Sequence, residues 1–147
     1  MIHIETIAST DQADLNKKDE IATFLFQHLD QYGDPKEDIM KCLDYALTPD
    51  SRRGGGFVVV AREEGKIVGT VVLNETGMSG YIPEYILVYI AVDNSQRGKG
   101  IGKKLMSTAI ENASGDIALH VEPDNPAKKL YESLGFTNKY LEMRLKK

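Results

Sequence analysis

The stretch Arg97-Gly-Lys-Gly-Ile-Gly102 holds the residue types best suited to grip an anion. Glycine has no Cβ, so backbone amides at such positions can come close to a phosphate. Ile101, Leu105, Met106 and Ala109 follow at helical spacing. A helix starting here adds unpaired N–H groups and the positive end of its dipole. Before the turn, Tyr85-Ile-Leu-Val-Tyr-Ile-Ala-Val92 is rich in β-branched and aromatic residues and almost continuously apolar. That is the pattern of a central strand covered on both faces. Strand, glycine turn and helix together predict a pyrophosphate cradle. Two common nucleotide loops do not fit. A Walker A loop needs glycine five residues before Gly102 and Ser or Thr after Lys103; the chain has Arg97 and Lys104. A dinucleotide fingerprint starting at Gly98 needs its last glycine at 103, and here it falls at 102.

The elements that must position this turn can be read in order. Ile2 and Ile4 alternate with His3 and Glu5, a short edge-strand signal in which His3 is a solvated residue. Residues 14–31 carry the apolar stripe Ile21, Leu25 and Leu29 and read as a helix ended by Gly33. Asp34-Pro-Lys-Glu37 reads as the start of a second helix with Asp34 as cap, and Ile39, Cys42, Leu43 and Ala46 line one side of that helix. Cys42 is thus a small core residue rather than a nucleophile, because nothing places a base beside it. Arg52 and Arg53 lie in a glycine-rich loop and are solvated charge or anion contacts. Residues 57–61 and 67–73 read as an antiparallel hairpin. The loop 74–83 leads into the central strand. After the helix, residues 117–122 form a strand that a helical crossover makes parallel to the central one. Asn125-Pro126 starts a last helix carrying Ala127, Leu130, Tyr131 and Leu134; Gly135 ends it, and residues 136–145 supply a closing strand. The fold class expected is mixed α/β: helices flank a central mixed sheet that begins antiparallel and becomes parallel.

The chain has 147 residues, one domain's length, with ordinary apolar (41%) and charged (27%) fractions. No apolar run suits a membrane span, and the N-terminus lacks the pattern of a signal peptide. A single cysteine rules out an internal disulfide, and a cytoplasmic location is the default expectation. A net charge of −4 argues against nonspecific nucleic-acid binding.

Pro123 bears on the parallel pair, because it removes a donor from one of the two strands. If the strands splay there, backbone groups on the first need another partner. An extended, amide-bearing ligand such as pantetheine could supply it, its pyrophosphate falling on Gly98–Gly102. Continuous pairing of 88–92 with 118–122 would overturn this expectation.

Arg97-x-x-Gly100-x-Gly102 matches the pattern Gln/Arg-x-x-Gly-x-Gly/Ala. With Leu119-His-Val-Glu-Pro-Asp-Asn-Pro126 and Leu130-Tyr-Glu-Ser-Leu-Gly-Phe136 in the same order, the chain resembles the GCN5-related N-acetyltransferases (GNAT) over most of its length. The resemblance implies a single N-acetyltransferase domain over 1–147, with a bulged and splayed parallel central strand pair. It implies acetyl-coenzyme A as acyl donor and a primary amine, small-molecule or peptide, as acceptor. It places pyrophosphate contacts on Arg97, Gly98, Gly100 and Gly102, with Ile101 in the same turn and Lys99 and Lys103 adding charge. Pantetheine contacts fall on the backbone of Ile90, Ala91 and Val92. Tyr131 corresponds to the family's proton donor to the departing thiolate. The family asparagine falls on Asn125 or, one residue earlier, on Asp124. No metal is implied, nor a nucleic-acid or membrane partner; homodimers are common among such small enzymes.

In this chemistry a neutral amine attacks the thioester carbonyl directly, in a ternary complex. Orientation supplies much of the rate, a backbone donor near Val92 stabilises the oxyanion, and Tyr131 protonates sulfur. The amine must first lose a proton. His120 and Glu122, two apart on one strand face, and Glu84 at the start of the central strand are the candidates. Two other readings compete with this one. An acyl-coenzyme A binding or regulatory module would bind the cofactor without turnover. A nucleotide-binding domain would bind ATP or NAD, against the spacing of the glycines.

Overall fold

The computed structural model describes residues 1–48 and 55–147. Pro49 and the pair Arg52 and Arg53, expected as solvated charge or anion contacts, lie outside the described residues.

Five strands form one sheet in sequence order: β1 (Ile2–Ala8), β2 (Gly56–Glu63), β3 (Lys66–Glu75), β4 (Tyr85–Val92) and β5 (Ile117–Leu119). The first three pairings are antiparallel and the last is parallel. Among the described residues four α-helices cover the sheet: α1 (Leu15–His28), α2 (Lys36–Leu47), α3 (Ile101–Asn112) and α4 (Ala127–Ser133). The mixed architecture expected from the sequence is the one observed.

The sheet separates two apolar layers. On one face Ile21, Leu25, Ile39, Leu43 and Leu47 of α1 and α2 pack against Val58, Val60, Val72, Tyr89 and Ala91. On the other, Ile101, Leu105, Met106 and Ala109 of α3 and Tyr131 of α4 pack against Phe57, Val59, Val71, Leu73, Tyr85 and Leu87. Ile21, Leu25, Ile39, Leu43, Leu105 and Met106 are fully enclosed, each side chain contributing about 1.5–3 kcal/mol. Asp14 caps α1 by accepting from the amide of Lys17 at 2.8 Å. Arg62 ties α1 to the sheet, donating to both carboxylate oxygens of Glu20 at 2.9 Å and to Glu5 at 3.3 Å. That guanidinium, through its hydrogen bonds first, holds the Glu20 carboxyl below the usual range. Gly69 lets α3 lie close on β3, since a Cβ there would stand 2.9 Å from Leu105 and 3.0 Å from Ile101.

Four expectations need correction. α1 ends at His28, before a short 3-10 turn over Asp30–Tyr32, so Gly33 does not end it. Asp34 does not cap α2: the N-cap position is Pro35, no side chain caps it, and the Asp34 carboxylate accepts from Tyr89 instead. β5 stops at Leu119, so His120 and Glu122 lie beyond the strand and share no strand face. Residues 136–145 form no strand; Tyr140, Leu141, Met143 and Leu145 are all exposed.

Candidate active site

β4 carries the site. Val72 pairs with Tyr89 and Leu73 with Leu87, which leaves Val88 as an extra residue. A bulge of this kind turns the alternation over. Tyr85 and Leu87 face the α3 side before it, whereas Tyr89 and Ala91 face the α1–α2 side after it. The parallel ladder ends at the same place: Tyr85, Ile86 and Leu87 pair with Ile117, Ala118 and Leu119, and no pair follows. The strands part at the bulge, four residues before Pro123, so the proline is not the immediate cause. Residues 89–92 keep β3 on one side and, among the described residues, have no strand partner on the other, which is the gap an extended amide ligand needs.

Asp93 closes β4, accepting from the Ser95 amide at 2.9 Å and the Ser95 hydroxyl at 2.8 Å, bonds that hold its carboxyl below the usual range. Arg97 is extended and exposed. Gly98 and Gly100 adopt φ of 83° and 78°, in the left-handed region where glycine is favoured. Nothing stands within 4 Å of where a Cβ would sit on either. Gly100 is the N-cap of α3, and no side chain caps that end. The first N–H groups of the helix, from Ile101, Gly102 and Lys103, therefore belong to an end that no side chain caps. Lys103 is exposed beside it, and Lys99 donates to Gln96 at 2.9 Å. These residues fit a pyrophosphate. Gly102 has a second duty, because a Cβ there would lie 3.3 Å from Leu130 and hold α4 away from α3.

Tyr131 of α4 is buried at 6% exposure, its ring centroid 5.9 Å from that of Phe136. Burial pushes its hydroxyl up to about 12, so it keeps its proton. Asn125 accepts from the amide of Ala127 at 2.9 Å, but the N-cap position of α4 is Pro126 and no side chain caps it. Asp124 offers only its carbonyl, to the Tyr32 hydroxyl at 3.4 Å.

The three sequence candidates for the base are placed less favourably. Glu84 accepts from the amide of Asp116 (2.7 Å), the hydroxyl of Ser79 (2.8 Å) and the amide of Gly80 (3.1 Å). These bonds, the Asp116 amide first, hold its carboxyl down at about 2, a poor setting for a base. It acts as a clamp between the 79–80 loop and the start of β5. The His120 side chain is 63% exposed, with Nδ1 4.0 Å from Glu142. Glu122 is exposed as well.

Two hollows among the described residues adjoin α3 and β4. The larger, about 480 Å³, is lined by Ile4, Gly100, Lys103, Lys104, Ser107 and Thr108 and opens toward β1 rather than toward α4. The smaller, about 300 Å³, is lined by Tyr45, Asn74, Thr76, Met78, Ile86 and Val88, among others. It reaches the bulge residue, so it is the one adjoining the splay. Cys42 lies behind its wall, accepting from Asn74 at 3.4 Å, and burial pushes its thiol up to about 12. That fits the core role read from the sequence. The sequence did not single out the hollow's lining residues, because they come from α2, β3, the 76–83 loop and β4.

This arrangement of splayed strands, uncapped helix and glycine turn agrees with comparison to known proteins. A family model described as an acetyltransferase (GNAT) domain matches residues 54–138, and the chain belongs to that family. The N-alpha-acetyltransferase RimI of Mycobacterium tuberculosis is 35% identical over 88 residues, covering 58% of this chain and 55% of that protein. The chain thus spans about half the length of that relative. A GNAT family acetyltransferase from Streptococcus pneumoniae superposes with a TM-score of 0.72 at 20% identity, over 100% of this chain and 98% of that one. An aminoglycoside N-acetyltransferase in complex with CoA does so at 0.70 and 18%, over 100% and 95%. At such identities these two structures speak for the fold alone.

Proposed function

We propose that the chain transfers the acetyl group of acetyl-coenzyme A to a primary amine by direct attack in a ternary complex. The observation that carries this reading is the parting of β4 from β5 at Leu87 and Leu119, with the glycine cradle at the far end of the same strand. Pantetheine amides would pair with the free edge at Ile90, Ala91 and Val92. The pyrophosphate would lie over Gly98–Gly102 with Arg97, Lys99 and Lys103 around it, and Asn125 would reach the cofactor arm. A backbone amide at the opened strand would donate to the thioester oxygen as charge develops on it. Tyr131, neutral and buried, would give its proton to the departing sulfur. The acceptor, a small-molecule or peptide amine, would meet the thioester on the opened strand beside the bulge at Val88.

The test has two stages. Calorimetric titration should show saturable binding of acetyl-coenzyme A and none of ATP or NAD. Free-thiol release with a panel of primary amines should then show turnover. Binding without turnover on any amine would favour a regulatory module, and no binding would remove the reading.

A further inference from the structure

An ammonium has no lone pair, so an acceptor amine must lose a proton before it attacks. Glu84 is committed to three structural donors, and His120 and Glu122 are exposed beyond the end of β5. On the α1–α2 side of β4, just past the bulge, lies another polar pair. Tyr89 is the first residue after Val88 and is 7% exposed; its hydroxyl donates to Asp34 Oδ2 at 2.5 Å. Asp34 lies in the connection between α1 and α2. Two residues earlier, Tyr32 spans the gap and donates to the Asp124 carbonyl. Asp34 is therefore held at the point where the strands part, fixed to one side through Tyr89 and tied to the other through Tyr32. The residue is exposed, and no Lys or Arg among the described residues pairs with it.

We propose that Asp34, oriented by Tyr89, receives the ammonium group of the acceptor and takes its proton. This rests on the acetyltransferase reading and names the class of acceptor, an amine that is cationic in solution. Tyr89 from β4, which donates to it, and Cys42 from α2 are the ionisable groups the Asp34 charge reaches, and Asp38 of α2 acts on the same Tyr89 hydroxyl. Burial, next the hydrogen bond to Asp34 and then its charge, hold the Tyr89 hydroxyl well above its usual range, and the Cys42 thiol is raised as well. Both stay neutral, so neither competes for the proton. The step balances. One proton passes from nitrogen to Asp34 and then to water. The nitrogen lone pair forms the C–N bond, and the C–S bond breaks with its electron pair going to sulfur. The second nitrogen proton is released as Tyr131 protonates the sulfur and is itself reprotonated.

The experiment uses wild type, Asp34→Asn and Tyr89→Phe, with spermidine, an alanine-led hexapeptide with a free N-terminus, and kanamycin as amines. Asp34→Asn keeps an oxygen for Tyr89 and removes the charge. Near neutral pH it should lower kcat/KM for the amine by about a hundredfold, leaving acetyl-coenzyme A binding and Tm unchanged. The deficit should narrow as pH approaches the amine's own pKa, about 10 for the alkyl amines of spermidine and about 8 for the peptide N-terminus, where free base is abundant. Tyr89→Phe should lose less, mainly in kcat. An Asp34→Asn loss under about threefold, or one that stays constant with pH, overturns the inference and leaves the transferase reading standing. Wild type that fails to bind acetyl-coenzyme A, or acetylates none of the three amines, overturns both.

Discussion

At the scale of the residue, burial and hydrogen bonding assign different work to chemically similar side chains. Tyr131 is enclosed and its hydroxyl raised to about 12, so it can donate throughout the working pH range. Tyr131→Phe should reduce kcat by about a hundredfold while the dissociation constant for acetyl-coenzyme A stays within error; single-turnover kinetics beside calorimetry checks this. His120→Gln should change kcat/KM by less than about tenfold across the pH profile, because its ring stands in solvent beyond β5. Glu84 makes a stability prediction. Its carboxyl is lowered from 4.5 to about 2 by the Asp116 amide, then Ser79 and Gly80. A depressed carboxyl stabilises the fold fully above its unfolded pKa, and the effect is lost as pH falls through the folded value. Thermal melts should therefore show Tm declining between pH 4.5 and 2, and Glu84→Gln should flatten that part of the curve.

At the scale of the element, close approach decides what each segment tolerates. Gly69→Ala would drive a methyl group to 2.9 Å from Leu105 and 3.0 Å from Ile101. Pushing α3 off β3 should cost about 1–3 kcal/mol, read as a shift in denaturant midpoint. The cradle should loosen too, since Ile101 opens that helix. These elements show which parts of the fold were legible in the sequence. The apolar periodicity of Ile39, Leu43 and Ala46, the hairpin of β2 and β3, and the strand–glycine–helix run through Arg97 were readable, because local pattern and tertiary burial agree there. Asp34 was misread as a cap, since a capping residue's alternative partner, Tyr89, lies 55 positions away and no local rule finds it. Residues 120–122 looked like strand by composition, yet they have no neighbour to pair with once β4 turns away. Tyr140, Leu141, Met143 and Leu145 have strand-forming character but bury nothing. The bulge at Val88 left no residue signature of its own and entered only through family resemblance.

At the scale of the whole molecule, one sheet serves two layers of helices, and its two ends are unequal. β1, β2, β3 and β4 form long antiparallel ladders, whereas β5 is held by three residue pairs. Removing Tyr140–Lys147 should leave the melting temperature nearly unchanged, since the apolar side chains lost there bury no core; a large drop would mean the tail docks in solution. The three-pair ladder has a further consequence in the exchange of amide protons with deuterated water. Amides of β2 and β3 should exchange only when the whole molecule opens, while those of residues 117–125 should exchange through a smaller, local opening. A cofactor lying between β4 and this segment would bridge the fast and slow halves. Its arrival should then appear as slowed isotope uptake on the weak side of the sheet and little change on the strong one.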